Sequence, residues 1–201
     1  MHGLNNGSIK IMQNAIIIHG MPSKEEFLDT TISSPASSHW LPWVKAQLEK
    51  RDIIVSIPEM PVPYEPEYTS WAALFEQNSI TPKTILIGHS LGAGFLIRWL
   101  SEHPLVVIDK MVLVAPWIDP AGEITTGFFD FTLDTSIVNR TQGVIVMYST
   151  DDEDVIMESV DLLRTALPGA LFQKFTNKGH FTLGDFGTTA FPEILEHLIV
   201  R

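Results

Sequence analysis

Short apolar runs recur along the chain, and segments with helical spacing fall between them. Ala15–Ile18, Ile53–Ile57, Ile85–Ile87, Met111–Ala115, Val144–Tyr148 and Leu171–Phe175 read as six strands. Several of these runs are continuous rather than alternating, which marks strands covered on both faces, as in a parallel sheet. Five stretches carry the helical pattern: His39–Lys50, Ser70–Glu76, Phe95–Leu100, Val155–Leu167 and Phe191–Val200. In the first, positions 40, 41, 44 and 48 share an apolar face, Ser38 is the expected N-cap, and Pro42 is tolerable only in the first turn. Pro168-Gly169 stops the fourth. Residues 21–38 read as a long polar loop, and Pro58, Pro61, Pro63 and Pro66 mark a second one. The alternation predicts a three-layer α/β fold with about six mostly parallel strands and helices on both faces. No internal repeat or long linker interrupts it. Residues 1–13 read as a loose N-terminal arm and 14–201 as one domain.

Composition narrows the partners. The 201 residues are 45% hydrophobic and 18% charged, the balance of a globular chain able to bury a large core. The net charge of −11 argues against nucleic acid, which needs clustered Lys and Arg, and disfavours anionic membranes. With no cysteine there is no disulfide framework, thiolate chemistry or Cys-based metal site. No apolar run approaches the ~20 residues of a spanning helix, and the first residues lack the basic and apolar parts of a secretory signal. A cytoplasmic location is expected, with no membrane partner, and the chemistry calls for no cofactor or metal.

In parallel α/β sheets the site lies at the carboxyl ends of the strands. After the third strand the chain runs Gly88-His89-Ser90-Leu91-Gly92, between a strand and a helix. This is the context of the nucleophile elbow of an α/β-hydrolase, where crowding two positions either side of the serine admits only very small residues. A serine hydroxyl needs an adjacent base, and in that fold the order is Ser, then acid, then His. Among seven histidines, His180 follows the sixth strand and satisfies the order, whereas His197 sits in the last helix and the others precede it. After the fifth strand comes Asp151-Asp152-Glu153-Asp154. Part of this cluster serves the N-terminus of the next helix, and the spacing alone does not rank Asp151, Asp152 and Asp154. An oxyanion hole needs two backbone N–H groups. Leu91, directly after the serine, supplies one, and Met21 in His19-Gly20-Met21-Pro22 supplies the other because Pro22 has none. The connection 116–142 after the fourth strand is where a lid is usually carried, yet is too short for a large one. His19, Trp117, Phe128 and Phe129 are candidate pocket residues, the aromatics lining an acyl or alkyl pocket or else packing on the sheet.

These motifs together resemble the small α/β-hydrolases of the retinoblastoma-binding protein nine group and their bacterial relatives. The likeness spans residues 15–183: the strand before His19-Gly20, the His39-Trp40 to Glu49 segment, Met60-Pro61, Gly88-His89-Ser90, Ser149-Thr150-Asp151-Asp152 and Gly179-His180-Phe181. It implies a triad of Ser90, Asp152 and His180. Asp152 is the second Asp of the pair, three residues before Val155. Relatives often carry a proline after that apolar residue, where this chain has Ile156-Met157, so Asp154 stays as a minor rival. A Leu-x-Cys-x-Glu motif is impossible without cysteine. The expected function is a serine hydrolase, a carboxylesterase cleaving small-molecule esters. The rival readings are a hydrolase-fold binding protein with little turnover, and a thioesterase or acyltransferase using the same residues.

Overall fold

The computed structural model describes residues 12–199. Most of the expected N-terminal arm and the expected helix end at Val200 lie outside the described residues. The six strands are β1 Asn14–Ile18, β2 Ile54–Ser56, β3 Thr84–His89, β4 Lys110–Val114, β5 Gly143–Ser149 and β6 Leu171–Phe175. They form one sheet in the order β2-β1-β3-β4-β5-β6, and every pairing is parallel. β1 and β3 lie in register from Asn14 opposite Thr84 to Ile18 opposite Gly88. That register brings the loop after β1 beside the turn after β3.

Burial follows the run lengths. All six residues of β3 are buried, as are four of five in β1 and β4. Strands so covered must have cover on both faces, which explains why their sequences do not alternate. The edge strands β2 and β6 are partly exposed and correspondingly less apolar. The helices are α1 Lys24–Leu28, α2 Leu41–Glu49, α3 Tyr68–Phe75, α4 Leu91–Glu102, α5 Asp154–Ala166, α6 Leu183–Phe186 and α7 Pro192–Leu198. α4 is the central one: from Leu91 to Leu100 only Arg98 is not buried. A helix apolar all round belongs in a core. α5 is amphipathic instead, burying Ile156, Ser159, Val160 and Leu163.

Two local expectations change. Ser38 does not cap α2. Its hydroxyl donates backwards to the carbonyls of Ser33 and Ser34, closing a short 3-10 turn over Pro35–Ser37, and the helix begins at Leu41 with Pro42 in its first turn. The polar loop 21–38 contains α1, opened by a capping box: Ser23 Oγ accepts from the Glu26 N–H, and the Glu26 carboxylate accepts from the Ser23 N–H. Ser-x-x-Glu is the sequence signature of that motif, and it stands in plain view at residues 23–26.

Connection 116–142 packs its aromatics inward. Phe128 is fully buried, with its ring against Trp71 (5.1 Å) and Phe95 (6.3 Å). Arg98, the one partly exposed residue in that stretch of α4, donates to the carbonyls of Gly127 and Phe128 while its guanidinium covers the Tyr68 ring at 3.6 Å. Further on, Arg140 donates to the carbonyls of Leu100, His103 and Val106 and pairs with Asp134. A cation there satisfies the orphan carbonyls at the C-terminus of α4.

Candidate active site

Ser90 is the single residue between β3 and α4, with φ 53° and ψ −121°. A non-glycine residue in that conformation is strained, and the surroundings hold it there. Its N–H donates to Val114 of β4, and its carbonyl accepts from the N–H groups of Ala93, Gly94 and Trp117. The crowding expected at the flanking glycines is visible atom by atom. A Cβ on Gly88 would lie 2.5 Å from Ala93 Cα, and one on Gly92 would lie 2.4 Å from the His19 carbonyl oxygen. Both neighbours are backbone, so no side chain can swing away to make room.

Ser90 and His180 open on one cavity of about 350 Å³. His180 Nδ1 lies 2.9 and 3.1 Å from the two carboxylate oxygens of Asp152. A carboxylate only accepts, so Nδ1 carries the proton and Nε2 presents a lone pair. The Asp152 carboxylate is fully buried and also accepts from the Glu153 N–H. The other two candidates serve elsewhere. Asp151 Oδ1 accepts from the Ser149 hydroxyl and the Gly179 N–H, contacts that hold its carboxyl below the usual range. Asp154 is exposed in the first turn of α5, where a carboxylate favours the helix N-terminus.

The loop carrying His180 is pinned from several sides by residues that strand-end reasoning passes over. His89 Nε2 donates to the His180 carbonyl at 2.8 Å, and the His180 N–H donates to Asp185 Oδ2 at 3.1 Å. The Lys178 N–H donates to Ser149 Oγ. His89 is enclosed by Trp40, His39 and His180, and this burial drives its pKa well below the ordinary histidine value. Its place within the Gly-His-Ser stretch was the available signal. Asp185 was signalled by Thr182-x-x-Asp185, where Thr182 Oγ1 accepts from the Asp185 N–H to cap α6.

The N–H groups of Met21 and Leu91 have no acceptor among the described residues. Met21 lines the cavity, and Leu91 opens α4 directly after Ser90. His19 also lines it, but both ring nitrogens are committed. Nδ1 donates to the Gly20 carbonyl and Nε2 accepts from the Met60 N–H, tying the loop after β1 to the loop after β2. Burial keeps its pKa low. Trp117, Phe128 and Phe129 are not among the lining residues, so of the two placements expected for the aromatics the structure takes the packed one rather than the pocket. Phe128 is drawn into the core, Trp117 is buried, and the Phe129 ring lies over Gly94, where a Cβ would meet it at 2.7 Å. Most of the remaining lining comes from segment 21–41: Pro22, Glu26, Phe27, Ile32, Pro35 and His39 all line the cavity. Among the described residues no group of three or more His, Asp or Glu is placed to hold a metal ion, and no helix is long and apolar enough to cross a membrane.

The family model described as serine hydrolase matches residues 31–199. The chain belongs to the serine hydrolase family. It is 25% identical over 185 residues to the putative hydrolase YdeN of Bacillus subtilis (strain 168), covering 88% of this chain and 95% of that one. It is 27% identical over 157 residues to the serine hydrolase RBBP9 of Rattus norvegicus, covering 75% and 82%. The crystal structure of the B. subtilis ydeN gene product superposes with a TM-score of 0.75 at 24% identity, over 93% of this chain and 97% of that one. Est1E of Butyrivibrio proteoclasticus superposes with a TM-score of 0.62 at 12% identity, over 93% and 88%. This serine hydrolase therefore has the α/β-hydrolase fold.

Proposed function

We propose that the protein is a carboxylesterase for small-molecule esters, working through an acyl-enzyme on Ser90. The observation that carries this reading is His180, held by the buried Asp152, opening on the same cavity as a serine at φ 53°. Ser90 Oγ attacks the ester carbonyl carbon and its proton passes to His180 Nε2. Asp152, on Nδ1, holds the ring in the required tautomer and stabilises the imidazolium. The N–H groups of Leu91 and Met21 receive the developing oxyanion. As the C–O bond breaks, His180 returns the proton to the departing alcohol oxygen, leaving the acyl group on Ser90. Water then attacks with His180 as base, its proton finally restored to Ser90 Oγ as the carboxylic acid departs.

Turnover of p-nitrophenyl butyrate by the parent, lost in Ser90→Ala, supports the reading. Labelling by a fluorophosphonate probe in the parent and not in the variant supports it independently. Equal hydrolysis by parent and variant would overturn it.

A further inference from the structure

His39 takes no part in the proton path just described, yet it lines the same cavity as Ser90 and His180. Three features set it apart from an ordinary loop histidine. Its backbone sits at φ 57°, a left-handed conformation that carries a cost outside glycine. Its Nδ1 accepts a 3.0 Å hydrogen bond from the Leu183 N–H, a contact spanning 144 residues of sequence. Among the described residues its ring makes no other hydrogen bond.

The second feature settles the tautomer. A nitrogen that accepts from an N–H cannot itself carry a proton, so the ring is neutral with its hydrogen on Nε2. Burial and the neighbouring His180 act in the same sense, lowering the pKa of His39. The ring is half-buried, packed edge-on against His89 at 5.8 Å. Glu26, the carboxylate on the same wall, is occupied through Oε2 by its capping box. The result is a fixed donor, in a cavity whose wall also carries Phe27, Ile32 and Leu41. A donor in such a setting favours a ligand that pairs with it and disfavours one that covers it with a methylene.

We propose that His39 is a substrate-positioning residue whose Nε2–H binds a hydrogen-bond acceptor outside the scissile ester group, so that the cavity selects oxygen-bearing esters over isosteric alkyl ones. This rests on the esterase reading above. Two matched pairs test it: p-nitrophenyl methoxyacetate against p-nitrophenyl butyrate for the acyl side, and 2-methoxyethyl acetate against butyl acetate for the alcohol side. Intrinsic reactivity cancels when the kcat/KM ratio within a pair is compared between parent and variant.

His39→Asn keeps an acceptor near Nδ1 for the Leu183 N–H and tolerates positive φ, but removes the donor at Nε2. His39→Gln keeps an N–H near Nε2 and gives up the acceptor. The ratio in one pair should fall about 3- to 10-fold in His39→Asn, the size of one neutral hydrogen bond, and fall less in His39→Gln. Ratios unchanged in both pairs, or a ratio that falls equally in the two variants, would overturn the proposal while leaving the esterase reading intact. A parent that turns over none of the four esters overturns the esterase reading, and this one with it.

Discussion

Gly92→Ala is a substitution whose effect the structure fixes closely. The added methyl would lie 2.4 Å from the His19 carbonyl oxygen, 2.5 Å from that of Ile18 and 2.8 Å from the Ile18 carbonyl carbon. Ordinary contact begins at 3.4 Å, so backbone must yield by about 1 Å. Either the first turn of α4 lifts off the sheet, or the end of β1 is pushed away. Overpacking of this kind costs about 1–3 kcal/mol. With a urea slope of roughly 2 kcal/mol per molar, the midpoint should fall by about 0.5–1.5 M. Activity should fall further than stability. The displaced backbone carries Ser90 on one side and the Met21 loop on the other, and a misplacement of about 1 Å near reacting groups costs on the order of 100-fold. Urea unfolding followed by tryptophan fluorescence, with p-nitrophenyl butyrate turnover on the same samples, measures both. Gly143→Ala is the control, since its methyl would meet only Ile145 Cδ1 at 3.6 Å and its φ is not positive. A Gly92→Ala protein with unchanged midpoint and unchanged kcat would refute the crowding argument.

Asp152→Asn should lower kcat by about 10³- to 10⁴-fold, because an amide can donate to Nδ1 and favour the wrong tautomer, while Asp154→Asn, at the exposed first turn of α5, should stay within about 3-fold; steady-state kinetics on one ester separates them. Phe128→Leu should cost about 1–3 kcal/mol in urea unfolding and leave KM for short esters near the parent value, because Phe128 packs in the core and does not line the cavity. Stability should fall on acidification below about pH 6.5, the unperturbed histidine value. His19 and His89 have lowered pKa values when folded, so the unfolded chain binds protons that the native state refuses. Their stabilising contribution is full above the unfolded value and is lost as pH falls beneath it. The limiting slope is about 1.4 kcal/mol per pH unit for one histidine that stays neutral when folded. His89 approaches that limit most closely, because burial drives its pKa well below the ordinary value. Urea midpoints between pH 7.5 and 5.5 measure this, and a flat profile would contradict it.

The sheet was legible because its central strands are buried on both faces, which leaves unbroken runs such as Ala15–Ile18 that permit no other placement. The elbow was legible for a steric reason: Gly88 and Gly92 are the residues that backbone contact at 2.4–2.5 Å demands. The choice among Asp151, Asp152 and Asp154 was not legible from spacing. All three fall within four residues, and the roles of Asp151 and Asp152 depend on where the loop after β6 returns. Asp151 meets the Gly179 N–H, and Asp152 meets His180. Which way the aromatics of connection 116–142 would turn was not legible, because Arg98, about thirty residues away, makes two bonds to the Gly127 and Phe128 carbonyls that hold them inward. The His39–Leu183 contact, like His89 to the His180 carbonyl, joins segments far apart in sequence and leaves no local pattern.

That most of the cavity lining beyond Ser90 and His180 grows from the connection after β1 bears on how such a protein can be re-engineered. One short segment carries both the proposed oxyanion donor at Met21 and the cavity lining from Pro22 onward. Pro22 separates the two duties, since its ring fixes φ near −65° and its nitrogen offers no hydrogen bond to drag the preceding peptide. Changes of length or shape beyond Pro22, at α1 or at Ile32 and Pro35, can therefore redraw what fits the cavity without transmitting each change to Met21. Replacing Pro22 would couple selectivity to rate, and a library that varies it along with the wall should yield mostly slow enzymes. A library that keeps it should yield variants of altered preference and near-parental speed.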